Sequence, residues 1–102
     1  MRPIYLAQLD KVRPVLILTR EPALDYLTSV TVAPIITRIC GIHSEVAVGT
    51  RNGLDRSAVV SLDNTTTIRR DQLLRPLGFL TAEQERELAT AISYTFDVLP
   101  TQ

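Results

Sequence analysis

Thr81-Ala82-Glu83-Gln84 divides this chain into two parts of different secondary structure. A Thr followed three residues later by Gln has the spacing of a capping box. The Thr hydroxyl can accept from the amide of residue 84, and the Gln side chain can reach back to the amide of residue 81. Leu80 stands just before the cap, at the staple position. Leu88, Ala91, Ile92, Thr95 and Phe96 then recur at three- and four-residue steps, the stripe of a helix with one buried face. Glu83, Glu85 and Glu87 fill the first turns, where the helix dipole favours anions. The spacing predicts one capped amphipathic helix at the end of the chain, with Pro100 marking its stop.

The first eighty residues have no such period. They read as short strands joined by turns. Ile4-Tyr5-Leu6-Ala7-Gln8-Leu9 is apolar and suits a strand, and Asp10-Lys11 suits a tight turn. Val12-Arg13-Pro14-Val15-Leu16-Ile17-Leu18-Thr19 comes next as a buried strand, with Pro14 near its start, where a missing N–H is tolerated. Together these predict a hairpin. Glu21–Leu27 suits one helical turn with Pro22 at its first position. Ser29–Thr37 is a long β-branched run, and Gly41 breaks the next stretch. Glu45–Val48, Ser57–Leu62 and Thr65–Ile68 are further short strands, Asn52-Gly53-Leu54-Asp55 is a turn, and Pro76–Leu80 returns to the sheet. No linker or internal repeat separates these pieces, so residues 1–102 are expected to form one domain.

Charge divides at the same place. Eleven basic and eleven acidic residues sum to zero over the chain. Residues 1–80 carry ten cations against seven carboxylates, net +3; residues 81–102 carry Arg86 against Glu83, Glu85, Glu87 and Asp97, net −3. Neutrality therefore excludes a uniformly basic protein but not a local anion-binding groove. Ten of the eleven cations are Arg, whose planar fork suits phosphate and carboxylate. The single Cys40 forbids an internal disulfide and fits a cytoplasmic address. One His and one Cys cannot build a usual zinc site, and no metal or other cofactor is expected. No apolar run approaches the ~18 residues of a membrane span, and the N-terminus lacks the apolar core of a signal peptide.

Several segments, taken in order, carry more than this. They are Ile4–Leu9, Arg13–Leu18, Thr31-Val32-Ala33-Pro34-Ile35-Ile36-Thr37, Gly41, Glu45-Val46, Ala58-Val59-Val60-Ser61-Leu62-Asp63-Asn64, Thr67-Ile68 and Gly78-Phe79-Leu80. No one piece is diagnostic, but the ordered set resembles the MazF/PemK family of toxin endoribonucleases from Ile4 to Leu99. It looks like the short mycobacterial-type members. The resemblance implies a mainly β domain with a C-terminal α-helix: a small SH3-like barrel or curled antiparallel sheet, the MazF/CcdB-like plasmid maintenance toxin fold. It also implies the toxin of a type II toxin–antitoxin system. Such a toxin is a metal-independent endoribonuclease that cuts single-stranded RNA at short sequences. A ribose 2′-OH attacks the adjacent phosphate, leaving 2′,3′-cyclic phosphate and 5′-OH ends. The implied partners are a cognate, MazE-like antitoxin and a second copy of the chain in a homodimer.

Carried over by position, the family's Arg-Pro falls on Arg13-Pro14. A phosphorane transition state concentrates negative charge, and a fixed guanidinium can meet it with two hydrogen bonds. Arg stays protonated in water, so charge stabilisation is its safer role. The alternative is that Arg13 only grips a carboxylate at a sheet edge. The second catalytic position of the family, usually Thr or Ser, falls on Ile36, with Thr37 next door. Isoleucine donates nothing to a phosphate, and neighbours on a strand point to opposite faces, so Thr37 would need a bulge or strand end to turn inward. Three readings stay open: Thr37 serves in its place, activity is weak or absent, or Ile36 replaces a Thr and lowers toxicity in an expression host. The short Asp10-Lys11 turn stands where many members have a longer loop over the groove, which implies a more open groove here. Lys11, Arg38, Asp63 and Asn64 are the candidate RNA contacts, Asp63-Asn64 by match to a base-contacting position. Arg51, Arg56, Arg69 and Arg70 are weaker candidates for backbone electrostatics. His43 has the side chain of a usual acid–base group, but the family places no catalytic His in this loop. Two other functions compete: a catalytically weak or inactive binding module on the same fold, and a CcdB-like gyrase poison. The gyrase poisons act through a C-terminal Trp, and this chain has none.

Overall fold

The computed structural model describes residues 1–99. Its seven strands pair only antiparallel, in one curled sheet. Strands β1 (Pro3–Gln8) and β2 (Val12–Ile17) form the expected hairpin, in register from Ile4 against Leu16 to Gln8 against Val12. The expected helical turn is a 3-10 turn over Glu21–Asp25, shorter than the expected Glu21–Leu27, with Glu21 first and Pro22 second. Strand β3 (Ser29–Ile36) then pairs with β2 along one edge, Val15 against Pro34. Its other edge is shared. Strand β6 (Thr66–Arg69) takes Ser29–Val32, and β5 (Ala58–Ser61) takes Ile35 and Ile36. Strand β4 (Glu45–Val48) closes the β5 side, and β7 (Leu73–Phe79) the β1 side.

β3 is apolar almost throughout because it is covered on both faces. Ala33 and Ile35 join Ile4, Leu16, Val60 and Leu62 in a core beneath the helix, while Val30 and Val32 join Ala7, Val15, Ile17 and Ile68 in a second core on the opposite face. The alternation of a strand makes this division automatic.

The helix α1 (Ala82–Thr95) begins as its spacing predicts. The Gln84 amide donates to the Thr81 hydroxyl at 3.1 Å, and the Thr81 amide donates to Gln84 Oε1 at 2.9 Å. Leu88 and Ala91 enter the core. Three expectations are corrected. Leu80 does not staple, since the residue facing it at the fourth helical position is Glu85; it is fully buried in the core instead. Phe96 caps the helix end and is exposed, and Asp97 adopts a left-handed φ of 54°, so the helix stops before the tail. Pro100 lies outside the described residues. Strand β7 begins at Leu73, not Pro76; it is an edge strand, where Pro76 is tolerated and burial too slight to give a pattern.

Gln84 does more than cap. It is buried, donates from Nε2 to Ala47 O and Asn52 Oδ1 (both 3.1 Å), and accepts from Asn52 Nδ2 at 2.6 Å. Asn52 also donates to Phe79 O. This pair ties the helix start to β4, the turn at Thr50–Asn52 and the end of β7. Next to it, Gly53 (φ 86°) and Gly78 bring two backbones into contact: a Cβ on Gly53 would overlap Leu77 O, and one on Gly78 would overlap Asn52 O.

Candidate functional site

The face of the sheet that carries the second core loses its apolar character at one end. Along β2 this face reads Ile17, Val15, Arg13; along β3 it reads Val30, Val32, Pro34, Ile36; along β6 it reads Ile68, Thr66. Continuing the Val15–Pro34 pairing by two residues sets Arg13 against Ile36. A shallow groove of about 330 Å³ opens there, lined by Leu9, Asp10, Arg13, Pro34, Ile36, Asn64 and Thr66. Leu9, Pro34 and Ile36 make an apolar floor. Arg13 stands on one side of β3, and Asn64 and Thr66 on the other.

Arg13 is held within the hairpin. Its Nη2 donates to Asp10 Oδ2 at 3.2 Å. Its Nε is sealed from solvent with no hydrogen-bond partner among the described residues. The carboxylate is mostly exposed, so the ion pair adds little to stability, but it constrains the direction of the fork. Asp10 therefore belongs to the groove although the loop that bears it is short.

The candidate residues divide. Arg13, Ile36 and Asn64 come together. Thr37 lies just past the end of β3, exposed and outside the groove lining. Lys11 and Arg38 are exposed at neighbouring strand ends and do not line it. Asp63 turns away to accept from Ser44 Oγ at 2.5 Å. Asn64 donates to Ser61 Oγ at 2.8 Å, which fixes its amide while leaving it exposed at the groove. Both sit on a 3-10 turn, Leu62–Asn64, in the gap where β3 changes partner from β6 to β5. Arg56 and Arg69 pair with Asp55 and Asp71, Arg70 donates to Leu24 O, and Arg51 lines a separate hollow with Thr50 and Ser57. The ring of His43 packs against Tyr94 at 5.2 Å between centroids. Cys40 is an exposed free thiol.

Asp10, Leu9, Pro34 and Thr66 are groove residues that residue-by-residue reading overlooks. Strand alternation on β3 and β6 is the available signal, but the β3–β6 register needed to use it is not local in sequence. Among the described residues no cluster of three His, Cys, Asp or Glu is placed to hold a metal ion, and no helix is long and apolar enough to cross a membrane.

The fold and site together are a curled antiparallel half-barrel with one terminal helix and an Arg-bearing groove at its strand ends. Residues 3–96 match the family described as PemK-like, MazF-like toxin of type II toxin-antitoxin system, and the chain belongs to that family. It is 56% identical over 98 residues to Endoribonuclease MazF3 of Mycobacterium tuberculosis, covering 96% of this chain and 95% of that one. It is 33% identical over 86 residues to Probable endoribonuclease MazF5 of the same organism, covering 83% and 79%. Among solved structures, Mycobacterium tuberculosis toxin MazF-mt6 superposes with a TM-score of 0.94 at 55% identity, covering 96% of this chain and 99% of that chain. A mycobacterial endoribonuclease in complex with its cognate antitoxin shares the fold at a TM-score of 0.83 and 24% identity, covering 98% and 95%.

Proposed function

We propose that this toxin is a metal-independent endoribonuclease whose scissile phosphate binds at Arg13. The 2′-OH of the preceding ribose attacks phosphorus. The P–O2′ bond forms as the P–O5′ bond breaks, the 2′-OH proton ends on the departing 5′ oxygen, and the products are a 2′,3′-cyclic phosphate and a 5′-OH. Arg13 opposes the charge that builds on the phosphoryl oxygens, the effect that usually contributes most in such sites. Asp10 orients the fork. Asn64 meets a base edge of single-stranded RNA, while Lys11 and Arg38 approach the flanking backbone as point and fork charges. The observation that carries this reading is the meeting of Arg13 with Ile36 and Asn64 in one groove, in a chain of this family.

Ile36 contributes no hydrogen bond where a hydroxyl is expected, and Thr37 lies outside the groove lining. Weak turnover is the consequence. The second reading, an RNA- or antitoxin-binding module without catalysis, rests on the same residue. Mixed-sequence RNA incubated in EDTA, with the ends mapped, separates them. Cleavage with cyclic-phosphate ends supports the enzyme. Cleavage by Ile36→Thr alone makes the natural chain the binding module, and cleavage by neither overturns the enzymatic reading.

The partners proposed are a MazE-like antitoxin, single-stranded RNA in the cytoplasm, and a second copy of the chain. Leu74, Phe79, Tyr94 and Phe96 are half or more exposed, apolar surface of the kind a two-fold partner covers. Light scattering at micromolar concentration should give the dimer mass; a monomer mass would remove that proposal.

A further inference from the structure

The groove holds one hydroxyl that neither Arg13-Pro14 nor the Ile36 position accounts for, that of Thr66. Three observations converge on it. First, Thr66 lies on the groove face of β6, two residues from the core-facing Ile68, and lines the groove with Arg13 and Asn64. Second, its neighbour Thr67 points the other way and exchanges a hydrogen bond with Thr31 at 3.3 Å, so the two hydroxyls have different surroundings. Third, the register fixes how far Thr66 stands from Arg13. Thr66 pairs with Val32, on the edge of β3 away from β2, whereas Arg13 falls level with Ile36. Two strand spacings and four residue rises separate them, on the order of 15 Å between Cα atoms.

With the Arg13 fork held toward Asp10 at the hairpin tip, away from the level of Thr66, that separation keeps the two side chains off one phosphate. Thr66 is therefore no substitute for the hydroxyl absent at position 36. It suits the far side of a nucleotide whose phosphate lies at Arg13 and whose base lies across the Pro34–Ile36 floor. An apolar floor accepts the face of any base, so discrimination must come from polar groups at the rim. We propose that Thr66 is a specificity-determining residue, its hydroxyl hydrogen-bonding to the base edge of the nucleotide bound across β3, beside Asn64. The proposal rests on the endoribonuclease reading and names how that groove selects its RNA.

The test compares the wild-type protein with Thr66→Val, Thr66→Ser and Thr67→Val. Cut sites are mapped on a randomised RNA pool, and KM and kcat are measured on the preferred site. Thr66→Val should relax preference at one nucleotide position and raise KM about tenfold, the loss of one hydrogen bond, with a smaller change in kcat. Thr66→Ser should keep the wild-type preference, and Thr67→Val should leave both unchanged. If the wild-type protein binds RNA without cutting it, affinities for a panel of 2′-O-methyl oligonucleotides replace the kinetics, with the same expectation. An unchanged site preference and affinity in Thr66→Val overturns the assignment of Thr66 alone. Absence of both cleavage and RNA binding in the wild type and in Ile36→Thr overturns the endoribonuclease reading, and the assignment with it.

Discussion

Asp10 holds Arg13 from three residues earlier in the same hairpin, Oδ2 to Nη2 at 3.2 Å. The pair has two opposed effects on a phosphate. The carboxylate aims the fork, and its negative charge repels the ligand the fork would bind. Removing the fork should therefore differ from removing its orienter. Arg13→Ala should lower kcat by at least about 100-fold, the usual cost of a lost charge stabiliser. Arg13→Lys should recover little, because a point charge does not reproduce a planar fork. Asp10→Asn should lower KM and kcat together. Steady-state kinetics on one oligonucleotide separate the two, and a rise in KM for Asp10→Asn would contradict the orienting role of Asp10.

Ile36→Thr places a hydroxyl level with Arg13 on the adjoining strand. One hydrogen bond to a charged phosphate contributes about 1.5–3 kcal/mol, so cleavage should rise about 10- to 100-fold. Thr37→Val should change cleavage less than twofold, because Thr37 lies beyond the strand end and outside the groove lining. A large loss in Thr37→Val would return Thr37 to the mechanism.

Gln84 and Asn52 exchange two hydrogen bonds in the interior, so removing either side chain takes both bonds from its buried partner. Gln84→Ala also opens the capping box. The sum should cost about 2–4 kcal/mol. Glu83→Gln, one residue away and exposed, should cost less than about 1 kcal/mol. Urea denaturation of both variants measures the difference. Equal midpoints would mean that the helix start depends on its apolar contacts alone.

The same pair shows how far the sequence can be read. The capping box, the hairpin and the β-branched run of β3 are local patterns, and each appears where its residues indicate, while the turn beside Pro22 forms one residue earlier and ends sooner than expected. The partnership of Gln84 with Asn52, 32 residues apart, has no local signature. Nor does the change of partner along β3 that opens the gap holding Asn64. In the groove, Arg13 and Ile36 are legible by resemblance to a family, whereas Asp10 is easily passed over because its loop is short. Thr66 is hidden because its face depends on a strand pairing more than thirty residues away in sequence.

Gly53 and Gly78 should be the least replaceable glycines. Each faces the other segment's backbone with no room for a Cβ, and Gly53 also has a φ of 86°. Gly78→Ala should push β7 away from the Asn52 turn and cost at least about 2 kcal/mol, as overpacking against rigid neighbours does. Gly49→Ala, where a Cβ would meet only ordinary contacts, should cost less. Thermal melts of the two variants give the comparison.

The charge distribution makes a last prediction, about salt. The excess of positive charge lies in residues 1–80, but Arg56 and Arg69 have carboxylate partners there, and Arg70 is turned to a backbone carbonyl. Lys11, Arg13 and Arg38 are the cations at or near the groove end of the sheet. Two or three phosphate contacts on single-stranded RNA give a slope of log K against log salt of about −1.4 to −2.1. Titrations of a short 2′-O-methyl oligonucleotide at several salt concentrations should fall in that range, and Arg38→Gln should flatten the slope by about 0.7. A slope steeper than about −4 would mean that RNA runs well past the groove onto the remaining arginines.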